Sequence, residues 1–356
     1  MSDPNIITAT EDAPEMCPDN LGSLGRMRWG KNHPPKDPTH ISFAGKTVLV
    51  TGANTGLGFE AAIKYSALGA DKLILGVRSA ARGEAAKAQI LARTGRKPDS
   101  IAIVLVDLAD YDSVRAFVPA LEKELAGRGL DVALLNAGLV NPEWQASKYG
   151  WEMAVQVNVI STALMTILLL PLLRETAAKT GRAPHLTFVN SNGHSMVAHS
   201  RKYVEEGGGT LLKAANGSKE QKQDQWRSYC LVKLLAMSIV RAVAKETEAG
   251  RDGRSGPEII VNSVCPGLCK TDLGRNFSWL VQKFMLPYHA IFARSGEEGG
   301  RALVSATVLG PESHGRFWHN DILQPVAELV ADDAFMAESW SEIMAILKKA
   351  QPDLHL

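Results

Sequence analysis

From Lys46 onward, short apolar runs alternate with longer segments in which apolar residues recur every three or four positions. Compact apolar runs indicate strands that are buried on both faces of a parallel sheet, and the periodic segments indicate amphipathic helices. The predicted strands are Thr47–Val50, Lys72–Gly76, Ile101–Val106, Val132–Leu135, Leu186–Val189 and Ile259–Val264. The predicted helices are Gly58–Leu68, Ala80–Thr94, Ser113–Leu125, Trp151–Leu173 and Ser228–Glu246. This alternation predicts an α/β fold with a doubly wound parallel sheet.

The predicted elements organise the chain as one domain with additions. We expect residues 44–356 to form a single α/β domain that follows an N-terminal extension of residues 1–43. Residues 1–40 lack a basic start followed by an apolar run, so they do not resemble a secretory signal and are expected to be exposed. Glycines 207–209 and the polar residues 218–225 indicate an inserted surface loop over about 197–225.

The composition excludes several classes of protein. Hydrophobic residues make up 45% of the 356 residues and charged residues 22%, as in ordinary globular proteins. The 39 basic and 38 acidic residues give a net charge of +1, so we expect a small-molecule partner and no nucleic acid. The most apolar stretch, Val159–Leu173, is shorter than the roughly 20 residues that span a bilayer. It is predicted to be a buried helix, with no transmembrane segment in the chain.

The four cysteines, Cys17, Cys230, Cys265 and Cys269, are too few for a disulfide framework in a chain of this length. A reducing compartment is expected, which favours the cytoplasm. No second Cys or His pair at ligand spacing accompanies Cys265 and Cys269, so no metal site is predicted.

A glycine-rich turn follows the first predicted strand and opens the first predicted helix. Gly52 permits a tight turn, Gly56 lets the backbone approach a pyrophosphate, and Gly58 allows the helix to pack closely. The N-terminus of such a helix binds anions through its free N–H groups. The candidate nucleotide contacts in this turn are Gly52, Asn54, Thr55, Gly56, Leu57 and Gly58.

The end of the second strand indicates which dinucleotide is bound. An acidic side chain at this point would hold the ribose 2′-hydroxyl of NAD, and the sequence has none there. Arg78 instead offers a charged fork suited to the 2′-phosphate, and Ser79 adds a hydroxyl donor. NADP(H) is therefore the predicted cofactor, although a solvated surface arginine is the alternative interpretation of Arg78.

Three further residues form a candidate catalytic set. Tyr229 and Lys233 lie four residues apart in a helical pattern and therefore share one face. A neighbouring ammonium favours the phenolate, so Lys233 is expected to lower the pKa of Tyr229. Ser191 follows a predicted strand at its carboxyl end, where open α/β sheets bind ligands.

The order of glycine turn, Asn136-Ala137-Gly138, strand-end serine and Tyr-x-x-x-Lys resembles the short-chain dehydrogenase/reductase superfamily over roughly residues 44–310. The resemblance implies a Rossmann-type fold and nicotinamide chemistry. It also implies that Asp107, next to Leu108, contacts adenine, that Asn136 steadies the central sheet, and that Asn158 binds a relay water near the active-site lysine. Pro266, Gly267 and Thr271 resemble the turn that closes around the nicotinamide.

Within the superfamily, residues 51–56, 150–152 and 292–299 resemble the retinol-dehydrogenase-like branch, and fungal secondary-metabolite reductases are similar. Two positions depart from the usual pattern, since Asn190 precedes Ser191 and Val232 precedes Lys233. Thirty-eight positions separate Ser191 from Tyr229, which is more than in compact members of the superfamily. This length leaves Ser195 as a rival for the serine role.

The resemblance implies hydride transfer between NADP(H) and a carbonyl or alcohol carbon, with Tyr229 as the acid or base and Ser191, Lys233 and Asn158 in support. The apolar segment of about 268–294 is expected to cover a lipophilic substrate, although a helix packed on the sheet or on a second subunit fits it as well. His194 and His199 are further candidates for lining the pocket.

Other activities and a second subunit stay open. A dehydratase or cyclase on the same fold and a catalytically silent nucleotide-binding protein are the alternative functions. The sequence also leaves open a homodimer through the helices around Val159–Leu173 and Ser228–Val243.

Overall fold

The structure is a computed structural model that describes residues 17–18, 20–219, 224–248, 256–271, 274, 277 and 279–354, and eight strands of this part form one sheet. The strands are β1 (Thr47–Thr51), β2 (Lys72–Val77), β3 (Ile101–Leu105), β4 (Val132–Leu135), β5 (His185–Val189), β6 (Ile260–Cys265), β7 (Phe317–His319) and β8 (Ile322–Gln324). Their order is β3-β2-β1-β4-β5-β6-β7-β8. All neighbouring strands are parallel except β7 and β8. The order reverses between β1 and β4, where such sheets form a ligand-binding crevice.

Helices cover both faces of the sheet. They are α1 (Ser23–Asn32), α2 (Gly56–Ala67), α3 (Ala80–Thr94), α4 (Tyr111–Leu125), α5 (Met153–Val155), α6 (Ser161–Thr180), α7 (Lys202–Glu206), α8 (Leu211–Asn216), α9 (Gln225–Glu246), α10 (Trp279–Phe292), α11 (Gly296–Ala306), α12 (Glu328–Ala331) and α13 (Asp333–Ala350). Apolar side chains of α4, α6, α9 and α13 form the core on one face. Those of α2, α3 and α11 form the core on the other face. The predicted doubly wound parallel sheet is therefore confirmed.

The six predicted strands and five predicted helices are present, with ends that differ by a few residues. The largest difference is in the predicted helix Trp151–Leu173, which continues to Thr180 and contains a π-helical turn at Gln156–Ile160. The whole rod, Met153–Thr180, is long and apolar enough to cross a membrane. However, 83% of its most apolar window is buried inside the protein, which confirms the prediction of a core helix.

The predicted inserted loop contains α7 and α8, and its residues 220–223 lie outside the described residues. Asn216, at the end of α8, ties this insertion to the segment before α5. Its backbone carbonyl accepts a hydrogen bond from Trp144 Nε1 at 2.9 Å, and its Oδ1 accepts one from the Glu152 N–H at 2.8 Å. Helices α8 and α13 pack against α9, so part of the surface considered for a dimer is covered within the chain.

The N-terminal extension is fastened to the domain by a buried arginine from the far end of the chain. The side chain of Arg294 is 2% exposed. It donates to the carbonyls of Gly30 and His33 at the end of α1, to the carbonyl of Pro266, and to Oδ1 of Asn320. The extension is therefore tied to the domain from α1 onward, although Gly30 is the one buried residue of α1 and most of the helix surface is exposed. Residues 1–16 lie outside the described residues.

We expect Arg294→Met to destabilise the protein by about 3 kcal/mol or more, because it leaves several buried carbonyls without donors. Chemical denaturation followed by circular dichroism measures this change. Arg182→Met is the control, since Arg182 is exposed and should change the free energy of unfolding by less than about 0.5 kcal/mol. Equal effects of the two substitutions would contradict the anchoring role.

Candidate functional site

The candidate site lies at the edge of the sheet where β1, β4, β5 and β6 end. These four strands are parallel neighbours, so their carboxyl ends meet at one edge. The glycine turn follows β1, Asn136 follows β4, Ser191 comes two residues after β5, and Pro266 follows β6. Residues that are separated by more than two hundred positions in sequence therefore share one crevice.

The glycine turn is shaped for close approach. The φ angle is 68° at Gly52 and 58° at Gly56, and this left-handed region favours glycine. A Cβ atom at Gly58 would lie 2.3 Å from Nδ2 of Asn136 and 2.6 Å from the Gly52 carbonyl oxygen. Helix α2 begins at Gly56, and the Thr55 side chain does not cap it. The turn therefore presents helix N–H groups to an anion in the crevice.

Asn136 connects the glycine turn to the end of β4. Its Nδ2 donates to the Thr51 carbonyl at 2.9 Å. In return, Thr51 Oγ1 accepts the backbone N–H groups of Asn136 and Ala137, each at 3.0 Å. This exchange fixes the spacing of β1 and β4. Asn136 is the residue that the resemblance expects to steady the central sheet.

The residues predicted to contact the adenosine part lie along the same edge. Arg78 is exposed directly after β2. Ser79 accepts a hydrogen bond from the Arg82 N–H at 3.4 Å and so caps α3. Asp107 follows β3, where its carboxylate accepts the Ala109 N–H at 2.9 Å, and its neighbour Leu108 is buried.

The predicted catalytic side chains come together between β5 and α9. The Tyr229 ring and the Ser191 hydroxyl lie together against Gly193, where a Cβ atom would be 3.4 Å from Tyr229 Cε1 and 3.3 Å from Ser191 Oγ. Ser191 Oγ also accepts the Gly193 N–H at 3.0 Å. Lys233, one helical turn further, lies with Nζ 5.9 Å from the centre of the Tyr229 ring and donates to the Val189 carbonyl at 3.1 Å.

Burial dominates the acidity of both ionisable groups. It raises the pKa of Tyr229 above its usual value, and the Ser191 side chain offsets this only in part. Burial also lowers the pKa of Lys233 to about 8, although the charge of Cys265 opposes this. The expectation that Lys233 lowers the pKa of Tyr229 is therefore not met in this structure. The reason is that desolvation of the phenolate outweighs a lysine whose ammonium is itself disfavoured by burial.

Asn158 lies in the π-helical turn and faces the same region. Its Oδ1 accepts the Leu139 N–H and its Nδ2 donates to the Leu139 carbonyl, both at 2.9 Å. A cavity of about 20 Å³ is lined by Asn158, Lys233, Asn190 and apolar neighbours. This volume is sufficient for about one water molecule. π-Helical turns occur frequently at functional sites, but the sequence pattern does not distinguish one from an ordinary helix.

The turn after β6 closes the crevice on the other side. Gly267 has a φ of 78°, and a Cβ atom there would lie 2.9 Å from Arg294 Nη1. Thr271 lies over the glycine turn, because a Cβ atom at Gly56 would contact it at 3.7 Å. The predicted nicotinamide turn and the predicted phosphate loop are therefore neighbours.

Two residues near Tyr229 were not among the predicted ones. Gly193 packs so closely that a Cβ atom there would lie 3.4 Å from Tyr229 Cε1 and 3.3 Å from Ser191 Oγ. Trp226 stacks on Tyr229 with ring centres 5.5 Å apart. For Gly193, the available signal in the sequence was a glycine two positions after the strand-end serine. For Trp226, the signal was its position one helical turn before Tyr229.

The other candidates near Ser191 have different surroundings. The Ser195 hydroxyl donates to the Asn192 carbonyl at 2.7 Å. The buried His194 holds the Ser191 carbonyl through Nδ1 at 2.7 Å and packs edge-on against Phe317. His199 is exposed. Among these residues, Ser191 is the one whose hydroxyl the structure brings to Tyr229.

Comparison with known proteins gives consistent matches. A family model described as short chain dehydrogenase matches residues 46–192. The chain is 42% identical to the short-chain dehydrogenase/reductase phmF of Phaeosphaeria nodorum over 93% of this chain and 95% of phmF. It is also 42% identical to the short-chain dehydrogenase/reductase ffsI of Aspergillus flavipes over 93% and 94% of the two chains.

Solved structures show the same fold at lower identity. A 3-ketoacyl-(acyl-carrier-protein) reductase from Brucella melitensis complexed with NADH superposes with a TM-score of 0.56 at 22% identity, covering 78% of this chain and 97% of that one. A Shigella flexneri protein described as a short chain dehydrogenase and complexed with NADP superposes with a TM-score of 0.54 at 22% identity, covering 78% and 98%. With near full-length relatives above 40% identity, the chain belongs to the short-chain dehydrogenase/reductase family of nicotinamide-dependent oxidoreductases.

Proposed function

We propose that this protein is an NADP(H)-dependent oxidoreductase that transfers a hydride between the nicotinamide and a carbonyl or alcohol carbon of a lipophilic small molecule. The observation that carries the proposal is the contact between Tyr229 and Ser191, one helical turn from Lys233, at the edge that also carries the glycine turn. The described part of the chain includes all four cysteines and has no disulfide bond, as fits a protein of the reducing cytoplasm.

Tyr229 and Ser191 act on the substrate oxygen. When bound, the nicotinamide supplies or accepts a hydride at its C4 atom. In reduction, Tyr229 donates its hydroxyl proton to the substrate oxygen, while Ser191 donates a hydrogen bond to the same atom. In oxidation, Tyr229 accepts the proton instead.

Lys233 and Asn158 belong to the path that returns a proton to Tyr229. A pKa of about 8 lets Lys233 exchange protons near neutral pH, as a relay requires. Its ammonium borders the small cavity that Asn158 also lines, so water held there connects Lys233 to solvent. Lys233 is also the residue that would hold the nicotinamide ribose.

The fit of the chain to a dinucleotide rests on the glycine turn and on Arg78. The left-handed glycines and the open N-terminus of α2 suit a pyrophosphate. The exposed Arg78 suits a 2′-phosphate through charge-assisted hydrogen bonds. The residues after β6, Pro266, Gly267 and Thr271, would border the nicotinamide.

A lipophilic substrate is supported by apolar groups exposed near the site. Helix α10, which follows the turn after β6, has no buried residue among its fourteen. Its Trp279 and Phe284 side chains are 68% and 80% exposed, and Trp226 and Met196 beside the catalytic group are also exposed. The relatives phmF and ffsI are named short-chain dehydrogenase/reductases, and the sequence resembles fungal secondary-metabolite reductases, so we take a secondary-metabolite intermediate as the substrate class.

Arg78→Ala should raise the Kd for NADPH about tenfold or more and leave the Kd for NADH unchanged, because it removes charge-assisted bonds to the 2′-phosphate. Fluorescence titration with each nucleotide measures both constants. The matched control is Arg182→Ala, since Arg182 precedes β5 at the opposite edge of the sheet. An unchanged ratio of the two constants would assign the choice of cofactor to other residues.

Tyr229→Phe should lower kcat by a factor of about 10² to 10⁴, because it removes the proton donor and leaves the ring. The test follows nicotinamide absorbance with a panel of lipophilic ketones and aldehydes, and NADPH binding should persist. Tyr203→Phe, on α7, is the control. Substrate turnover without any change in nicotinamide absorbance would instead favour a dehydratase or cyclase.

Because its pKa is lowered by burial, the protonated side chain of Lys233 reduces the free energy of unfolding at neutral pH. Its folded pKa, about 8, lies below the usual lysine value of 10.5, so the folded state binds fewer protons than the unfolded state between these values. The penalty is fully present below pH 8 and is relieved as the pH rises towards 10.5. We therefore expect Lys233→Met to gain stability relative to wild type at pH 7 and to lose that advantage by pH 10.

Urea denaturation across this pH range measures the difference between the two proteins. The exposed Lys179→Met is the control, and its difference from wild type should stay constant with pH. A constant difference for Lys233→Met as well would show that the ammonium is not disfavoured in the folded protein.

A further inference from the structure

Cys265, the last residue of β6, lies between the two loops that form the candidate site. Its side chain is buried, with 4% exposed. Two backbone N–H groups point at its sulfur, from Asn192 beside Ser191 and from Gly267 in the turn after β6, each at 3.3 Å. The sulfur therefore accepts two hydrogen bonds. It joins the segment after β5 that contains Ser191 and Asn192, here called the serine loop, to the predicted nicotinamide turn.

His319 supplies a third contact. It pairs with Cys265 in the register of β6 and β7, and its Nδ1 donates to the Cys265 carbonyl at 3.1 Å. The imidazole therefore lies beside Cys265, and its charge lowers the pKa of the thiol. Two N–H donors and a neighbouring imidazole thus surround one sulfur, an arrangement that suits a thiolate better than a thiol.

The other buried cysteines lack this arrangement. Burial raises the pKa of Cys230 and of Cys269 to about 12, and the Cys269 thiol donates to the Pro266 carbonyl at 3.3 Å. For Cys265, burial also acts to raise the pKa, but the charge of His319 and the two N–H groups outweigh it and bring the pKa to about 7. Burial acts to lower the pKa of His319, and the charge of Cys265 raises it above its usual value.

We infer that Cys265 and His319 form a thiolate–imidazolium pair that positions the serine loop against the turn after β6 and sets the electrostatic field at Lys233 and Tyr229. The proton that leaves the sulfur is the one that the imidazole gains, so the pair has no net charge and acts on its neighbours as a dipole. The effect on catalysis rests on the proposed function, whereas the existence of the pair does not.

Each member of the pair acts electrostatically on its ionisable neighbours. The charge of Cys265 raises the pKa of Lys233 and of Tyr229. The charge of His319 lowers the pKa of His194. The ionisable and charged groups that face the pair are Lys233, Tyr229, His194, Cys269, Arg294 and Asp321. The thiolate end therefore favours the ammonium of Lys233 over its neutral form.

The pair itself can be measured without substrate or cofactor. The ultraviolet absorbance of a thiolate, followed against pH in the full-length protein, should show one ionisation near pH 7 that Cys265→Ser removes. Cys269→Ser is the matched control and should retain it. His319→Gln should move the ionisation to pH 9 or above, since the imidazole no longer stabilises the thiolate. Loss of the same signal in both serine variants, or no signal near pH 7 in wild type, would overturn the pair.

The field at Lys233 is measured in two ways, one of which needs no activity. In the Cys265→Ser background, the pH at which the stability advantage of Lys233→Met begins to decline should fall by roughly half a unit to one unit, because removing an attractive charge lowers the folded pKa of Lys233. The pH profile of kcat/KM in Cys265→Ser should move to lower pH by the same amount, while that of Cys269→Ser should match wild type.

The outcomes separate the two proposals. If neither the stability window nor the pH profile moves while the thiolate signal is present, the electrostatic role is overturned. If wild type shows no nicotinamide chemistry but the stability window moves as expected, the proposed function fails and the pair stands.

Discussion

The candidate site depends on how closely the turn after β1 approaches the end of β4. Asn136 donates to the Thr51 carbonyl, and Thr51 accepts two N–H groups in return. This contact holds the two strands at the point where the sheet order reverses. It is compatible only with glycine at position 58, where a Cβ atom would collide with Asn136. The start of α2, and hence the predicted phosphate site, is placed by this contact.

Burial then determines the acidity of the groups in the crevice. Desolvation disfavours the charged form of every ionisable side chain, which is why it raises the pKa of Tyr229 and lowers that of Lys233. Cys265 and His319 are exceptions, because a nearby imidazole and two N–H groups compensate for the burial of Cys265, and the charge of Cys265 compensates for the burial of His319. Among side chains that lie close together in one crevice, some therefore favour the neutral form and others the charged form. The number and charge of their hydrogen-bond donors account for the difference.

Residues after β6 stabilise the elements of the candidate site, although they lie far from most of them in the sequence. Arg294 joins α1 to the turn after β6, and His319 of β7 reaches Cys265. Helix α13 packs on α9, which carries Tyr229 and Lys233. Through these contacts, the N-terminal and C-terminal segments both hold the elements of the candidate site in place.

The sequence by itself determined the sheet, its crossover helices, the glycine turn and the pairing of Tyr229 with Lys233, because each depends on neighbours within a few residues or on a local hydrophobic period. The tertiary structure alone decided the π-helical turn at Asn158, the burial of Arg294 and the approach of His319 to Cys265. It also reversed the expected shift in the pKa of Tyr229. These features arise from contacts between residues far apart in the chain and from desolvation, and neither leaves a periodic pattern in the sequence.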